Sequence, residues 1–185
     1  RAAGVDAEAV ASGLRHYSPG AHRIVTVAEA GGVTWVDDSK ATNPHSAEAA
    51  LTSLPQGTGV WICGGDTKGA QFFDLVRTVR PHLRGAVVIG KDQSDILAAL
   101  EKEAPGLPVT RISHAAPEQV SAAAVEAAGT MARSGDTVML APACASWDQF
   151  TSYAQRGDLF AAAARAYAGG DSPETTDASG VQEKL

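Results

Sequence analysis

From Pro44 onward the chain alternates short apolar runs of strand length with segments of helical period, and this rhythm restricts it to one class of fold. Thr58–Cys63, Gly85–Ile89, Leu107–Ile112 and Asp136–Ala141 read as strands. Phe72–Val79, Gln93–Lys102, Ala115–Met131 and a last segment from Trp147 or Asp148 to about Tyr167 read as helices. Strands separated by single helices need crossover connections, which give a parallel sheet with helices on both faces. Ahead of them, Ile24–Ala28 and Val33–Val36 flank Gly31-Gly32 at the spacing of a hairpin. The expected fold is α/β: Rossmann-like and doubly wound, a mostly parallel sheet with an antiparallel hairpin at one edge.

The 185 residues are enough for one domain with a real core and too few for two. Residues 1–21 read as a linker and the remnant of a preceding domain, 22–168 as the main domain, and 169–185 as a disordered tail whose apolar area cannot offset its ordering entropy. The opening at Arg1, without a methionine, leads us to expect a piece of a larger protein. Alanine dominates the 44% hydrophobic content and aromatics make up 5%, so the helices should be alanine-faced and close to the sheet. A net charge of -6 argues against a nucleic-acid or membrane-surface binder, which needs a basic face. No run approaches the roughly 18 apolar residues of a membrane span, and no signal peptide is visible. The two cysteines, Cys63 and Cys144, lie in or near apolar runs without a CxxC or zinc-like His spacing, as expected of buried reduced thiols in a cytosolic protein.

Where the hairpin ends, Asp37-Asp38-Ser39-Lys40-Ala41-Thr42-Asn43-Pro44 should expose carboxylates, a lysine, hydroxyls and an amide at a strand-to-helix junction. Asn43-Pro44 is the cap-then-proline pair of a helix start, continued by Ser46–Leu51. Open α/β folds bind ligands at that carboxyl edge. The loops after Val36, Cys63, Ile89 and Ala141 should converge there. They carry Asp38, Ser39, Lys40, Thr42 and Asn43; Asp66, Thr67 and Lys68; Lys91 and Asp92; and Ser146, Asp148 and Gln149. Each loop is expected to open a helix, whose free N–H groups and dipole favour an anion. Lysines in those loops point to an acidic ligand carrying carboxylates or phosphates. Gly64-Gly65-Asp66-Thr67-Lys68-Gly69 lacks Walker spacing, so it reads as a glycine turn or carboxylate site and not as a triphosphate cradle. Lys91-Asp92 reads as a solvated first turn. His16, His22, His82 and His114 have no metal-like spacing, and His45 has no identifiable acid partner.

Asp38-Ser39-Lys40-Ala41-Thr42-Asn43, Gly64-Gly65-Asp66-Thr67-Lys68 and Pro142-Ala143-Cys144-Ala145-Ser146-Trp147-Asp148-Gln149-Phe150, followed by Gln155-Arg156-Gly157-Asp158-Leu159-Phe160, occur in order and begin at strand ends. Together they resemble the C-terminal domain of the Mur ligase family, in particular its UDP-N-acetylmuramoyl-L-alanine:D-glutamate ligases, over about Gly13 to Tyr167. The resemblance implies a three-domain, ATP-dependent, monomeric cytoplasmic enzyme of peptidoglycan synthesis. Its first domain holds the UDP-sugar. Its central ATPase domain holds the P-loop, Mg2+ and a modified lysine, and its last domain brings in D-glutamate and closes on the nucleotide. ATP phosphorylates the carboxylate of UDP-N-acetylmuramoyl-L-alanine, the amine of D-glutamate attacks the acyl phosphate, and the tetrahedral intermediate collapses to amide and phosphate. The present chain has no P-loop, so the resemblance implies that alone it is inactive.

Carried over by motif, Thr42, Lys68 and Ser146 hold the two carboxylates of D-glutamate, with the backbone of Trp147 and the ring of Tyr153 lining that pocket. Lys40 is the catalytic cation leaning toward the transferred phosphate. Asp38 takes the nucleotide ribose hydroxyls and Arg23 reaches the nucleotide phosphates on closure, while no metal ligand falls in this chain. The family commonly carries Leu and Phe where this chain has Trp147 and Tyr153, a departure that bears on pocket shape. Two other readings stay open: a related ligase for another amino acid or a folylpolyglutamate synthase, and a stand-alone module binding a nucleotide or acidic metabolite. Against the last stands the absence of GxGxxG.

Overall fold

The computed structural model describes residues 4–16, 20–113 and 116–170. Along them run helix α1 (Ala7–His16), strands β1 (Val25–Ala30) and β2 (Val33–Asp37), α2 (Pro44–Leu51), β3 (Gly59–Gly64), α3 (Phe73–Val79), β4 (Leu83–Ile89), α4 (Ser94–Glu103), β5 (Val109–Arg111), α5 (Pro117–Met131), β6 (Thr137–Leu140) and α6 (Tyr153–Gly169). The turn expected at Ser18-Pro19, His114, and all of the expected tail beyond Gly170 lie outside the described residues.

The strands form one sheet in the order β1-β2-β6-β3-β4-β5. Only β1 and β2 pair antiparallel; the other neighbours are parallel. The hairpin turns at Gly31 and Gly32, with φ of 58° and 76°, the left-handed pair that a two-residue turn needs to match strand twist. The central strands β3, β4 and β6 are apolar on both faces, since helices cover both, while the edge strand β5 is largely exposed. On one face Val36, Trp61, Cys63, Val88 and Met139 meet α2, α3 and α4 through Leu51, Val76 and Ile96. On the other, Trp35, Ile62, Val87 and Leu140 meet α5 and α6. Alanine lets those two helices come close: Ala124, Ala128 and Ala164 are almost wholly buried there.

One departure from expectation matters for function. No helix starts at Trp147 or Asp148; α6 begins at Tyr153, capped by the Ser152 side chain, which accepts the Gln155 N–H at 3.0 Å. The intervening residues stay in a loop because their side chains are used elsewhere: Gln149 Oε1 accepts Gly90 N–H at 2.7 Å, and Asp148 Oδ2 accepts Lys91 N–H at 2.9 Å. Strand β6 lies between β2 and β3, while α6 leaves it to the face opposite α2 and α3. Loops that part on both sides of one strand open a crevice at its carboxyl end, where ligands of such sheets bind.

Candidate functional site

The loop after β2 is shaped by its own carboxylates. Asp37 takes the Ser39 N–H at 2.8 Å on Oδ1 and lies 2.6 Å from His22 Nδ1 on Oδ2, so it is spent inside the protein. Asp38 Oδ1 accepts the Ile24 N–H at 3.3 Å. Burial, with Asp37 beside it, pushes the Asp38 carboxyl up to about 6, against the opposing pull of that N–H and of Arg23. The expectation that the whole stretch is exposed therefore fails for Asp37, Asp38 and Ser39, all of which are buried. Lys40 and Thr42 are half-buried and Asn43 is exposed, its side chain accepting the Ser46 N–H at 3.0 Å to cap α2.

The loop after β6 joins the others. Ala143 donates its N–H to Ala41 O, and Gly64 its N–H to Pro142 O, both at 2.9 Å. Asp66 and Ala145 exchange backbone hydrogen bonds at 3.0 and 2.9 Å. This contact requires Gly65, where a Cβ would collide with the Ala145 carbonyl. With the bonds from Gln149 and Asp148 to the β4 loop, the strand ends of β2, β3, β4 and β6 are held together around one loop. Arg156 locks the arrangement from below. Only 1% exposed, it donates Nε to Ser39 Oγ at 2.9 Å, Nη2 to Ser39 O at 2.9 Å and Nη1 to Cys144 O at 3.2 Å. Burial lowers its pKa to about 10, leaving it charged at neutral pH.

Beside this junction an open groove of about 500 Å3 is lined by Arg23, Ile24, Asp38, Lys40, Ala41, Ser46, Ala49 and Ala50. It brings together the three residues expected to face a nucleotide. On the other side lie Lys68, exposed, with φ 49° and its N–H on Asp66 Oδ1 at 3.0 Å, and Ser146, buried and one residue beyond the Asp66–Ala145 contact. Lys68 and Ser146 thus share a rim. Trp147 is 72% exposed. Tyr153 turns its hydroxyl to Lys40, whose Nζ donates to it at 2.6 Å. Thr42, at the α2 end of its loop, donates its N–H to Lys40 O at 2.9 Å. Among the described residues the ion pairs within 4.0 Å fall on His22, Arg77 and Arg84; Arg23 acts on Asp38 from further away, Lys40 bonds to Tyr153, and Lys68 has no carboxylate within that distance.

Two of the polar residues expected at the rim turn inward. Asp148 and Gln149 hold backbone and do not present their engaged oxygens to a ligand. Lys91 and Asp92 are exposed, as expected of a solvated first turn, and the Asp92 carboxylate accepts the Ser94 N–H and hydroxyl, which hold it below the usual range. Two contributors carried no local signal. His22 sits fifteen positions from its partner Asp37, and Gly157 leaves the space they occupy. Arg156, a residue type that sequence alone places on the surface, is buried.

A family profile described as Mur ligase, glutamate ligase domain, matches residues 22–144, the span that holds β1 to the loop after β6. The chain belongs to the Mur ligase family. A Frankia casuarinae protein named UDP-N-acetylmuramoylalanine--D-glutamate ligase is 52% identical over 169 residues, 91% of this chain and 34% of that protein. One of the same name from Bifidobacterium longum subsp. infantis is 49% identical over 168 residues, 89% of this chain and 35% of that protein. This Mur ligase domain therefore spans about a third of the length of the curated relatives it matches. Among solved structures, MurF from Acinetobacter baumannii superposes with a TM-score of 0.54 at 16% identity, covering 89% of this chain and 35% of that one, a likeness of fold alone. Among the described residues no helix is long and apolar enough to cross a membrane.

Proposed function

We propose that this chain is the amino-acid-binding part of an ATP-dependent ligase that adds D-glutamate to UDP-N-acetylmuramoyl-L-alanine in peptidoglycan synthesis. The observation that carries the reading is the groove that Arg23 and Lys40 line with Asp38, next to loops that the β6 loop ties together through Ala41, Asp66 and Ala145. The names of relatives at about half identity over most of the chain favour D-glutamate over other amino acids.

In this reading Lys68, Thr42 and Ser146 receive the two carboxylates of D-glutamate beside the Trp147 backbone and Tyr153. A dianion needs cationic and hydroxyl donors already aimed at it, and charge-assisted hydrogen bonds are the strong kind. The groove takes the nucleotide, with Asp38 toward ribose hydroxyls and Arg23 toward phosphates. Lys40 neutralises the charge that develops when the γ-phosphoryl group passes to the carboxylate of UDP-N-acetylmuramoyl-L-alanine. The amine of D-glutamate then attacks the acyl carbon, and phosphate leaves with the bonding pair. A fixed cation acts there by meeting charge that grows in the transition state. The groove's donors fit ATP. Magnesium finds no ligand set here, since no three His, Cys, Asp or Glu side chains converge among the described residues, and no step is assigned to it in this chain. The isolated chain should not ligate; the complete enzyme is a cytoplasmic monomer in this reading.

In the full-length enzyme, Lys68→Ala should raise the KM for D-glutamate by about 10- to 100-fold, the range of one lost charge-assisted bond, while the KM for ATP stays within about twofold. An unchanged D-glutamate KM overturns the carboxylate assignment.

A further inference from the structure

Tyr153 opens α6, and each of its parts is engaged. Its carbonyl accepts the Ser39 hydroxyl at 2.7 Å. That hydroxyl oxygen in turn accepts Arg156 Nε at 2.9 Å. The ring meets His22 edge-on, centroids 6.1 Å apart and planes at 77°. The phenol oxygen accepts Lys40 Nζ at 2.6 Å, with that ammonium 4.0 Å from the ring centroid. Lys40 is fixed at its other end as well, its backbone N–H donating to His22 O at 3.0 Å.

A free lysine head on a loop must be ordered when an anion arrives, which weakens binding and catalysis alike. Here the ordering is already done, on a lysine that lines the groove with Arg23 and Asp38. The phenol oxygen takes the lysine as acceptor, so its own O–H remains to donate. We infer that Tyr153 is a positioning residue for Lys40: its hydroxyl holds the ammonium at the groove, and the two present one paired donor to a phosphoryl oxygen. The identity of that oxyanion rests on the ligase reading above; the tether itself is a property of this chain.

The test is Tyr153→Phe in the full-length protein, which keeps the ring and removes only the hydroxyl. In the ligand-free protein, acylation of Lys40 by an amine-reactive ester, followed by mass spectrometry with Lys68 as internal reference, should quicken about fivefold or more. Steady-state kcat should fall about tenfold, the scale of one charge-assisted hydrogen bond, with the KM for ATP and for D-glutamate each within about twofold. Unchanged Lys40 labelling overturns the tether. Faster labelling with an unchanged kcat overturns its part in the reaction, and so does a raised D-glutamate KM at constant kcat, which would make the hydroxyl an amino-acid contact. Should the wild-type protein not ligate D-glutamate, the function proposed above fails while the labelling arm still decides the tether.

Discussion

Asp38→Asn should stabilise the protein near pH 8 and lose most of that gain near pH 4.5. Asp38 is 6% exposed and receives one backbone N–H, a long one from Ile24 at 3.3 Å. Burial is the main reason its carboxyl rises from an ordinary 3.8 to about 6, and Asp37 adds to it. The folded protein therefore holds this proton more tightly than the unfolded chain does. The stability that protonation supplies is fully present below pH 3.8 and is lost as pH rises through about 6. The shift corresponds to about 3 kcal/mol at most. The carboxylate borders an open groove, and screening by that solvent reduces the cost to about 1–2 kcal/mol. Asparagine keeps the shape and the acceptor for Ile24 while removing the charge. Urea unfolding followed by circular dichroism, at about pH 8 and pH 4.5, should give a higher midpoint at the first pH, an unchanged m-value, and less than half that gain at the second. An equal gain at both pH values, or none at pH 8, refutes the electrostatic argument. A carboxylate kept where it costs stability fits a residue retained for binding, so the same variant should lose nucleotide affinity in the full-length enzyme.

Gly157→Ala places a methyl group into His22 Nδ1 and 2.7 Å from Asp37 Oδ2, so the buried pair must part; urea unfolding should show a loss of about 2–3 kcal/mol, and an unchanged midpoint contradicts the packing described. Cys63 and Cys144 are buried, and burial lifts the first thiol well above its ordinary range and the second to about 12. An aromatic disulfide reagent near pH 8 should therefore leave the native protein untouched and titrate both thiols after unfolding, and rapid reaction of either native thiol would show that the crevice opens.

The alternation of strands and helices was legible because each run carries its own period, and Gly31-Gly32 and Asn43-Pro44 mark their own turns. Strand order was not: nothing local in Thr137–Leu140 says that it inserts between β2 and β3, a placement fixed by the helices taking opposite faces. The start of α6 is hidden in the sequence because Trp147-Asp148-Gln149-Phe150 reads as the first turn of a helix that begins only at Tyr153. Its polar members bond instead to backbone at Gly90 and Lys91, a long-range demand that overrides local preference. The rim loops were legible as a set, since parallel strands share a carboxyl edge. The buried roles of His22 and Arg156 depend on partners far away in sequence, and no composition or spacing signals them.

How a chain of net charge -6 keeps cations free on one rim follows from where its carboxylates go. The acids of the rim loops are occupied by backbone N–H groups: Asp37 by Ser39, with His22 alongside, Asp38 by Ile24, Asp66 by Lys68's own N–H, Asp92 by Ser94 and Asp148 by Lys91. A carboxylate so engaged has less to gain from a neighbouring lysine. Arg156, a cation drawn inside, is spent on two carbonyls and a hydroxyl and not on an acid. Had Arg156 paired with Asp37, the loops after β2 and β6 would lose their clamp; had Asp66 paired with Lys68 through side chains, the ammonium would be neutralised where a dianion is to be received. The loops are therefore folded by their acids and leave their lysines to the ligand, so neutralising Asp66 should disturb the conformation of its loop before it disturbs the charge on the rim.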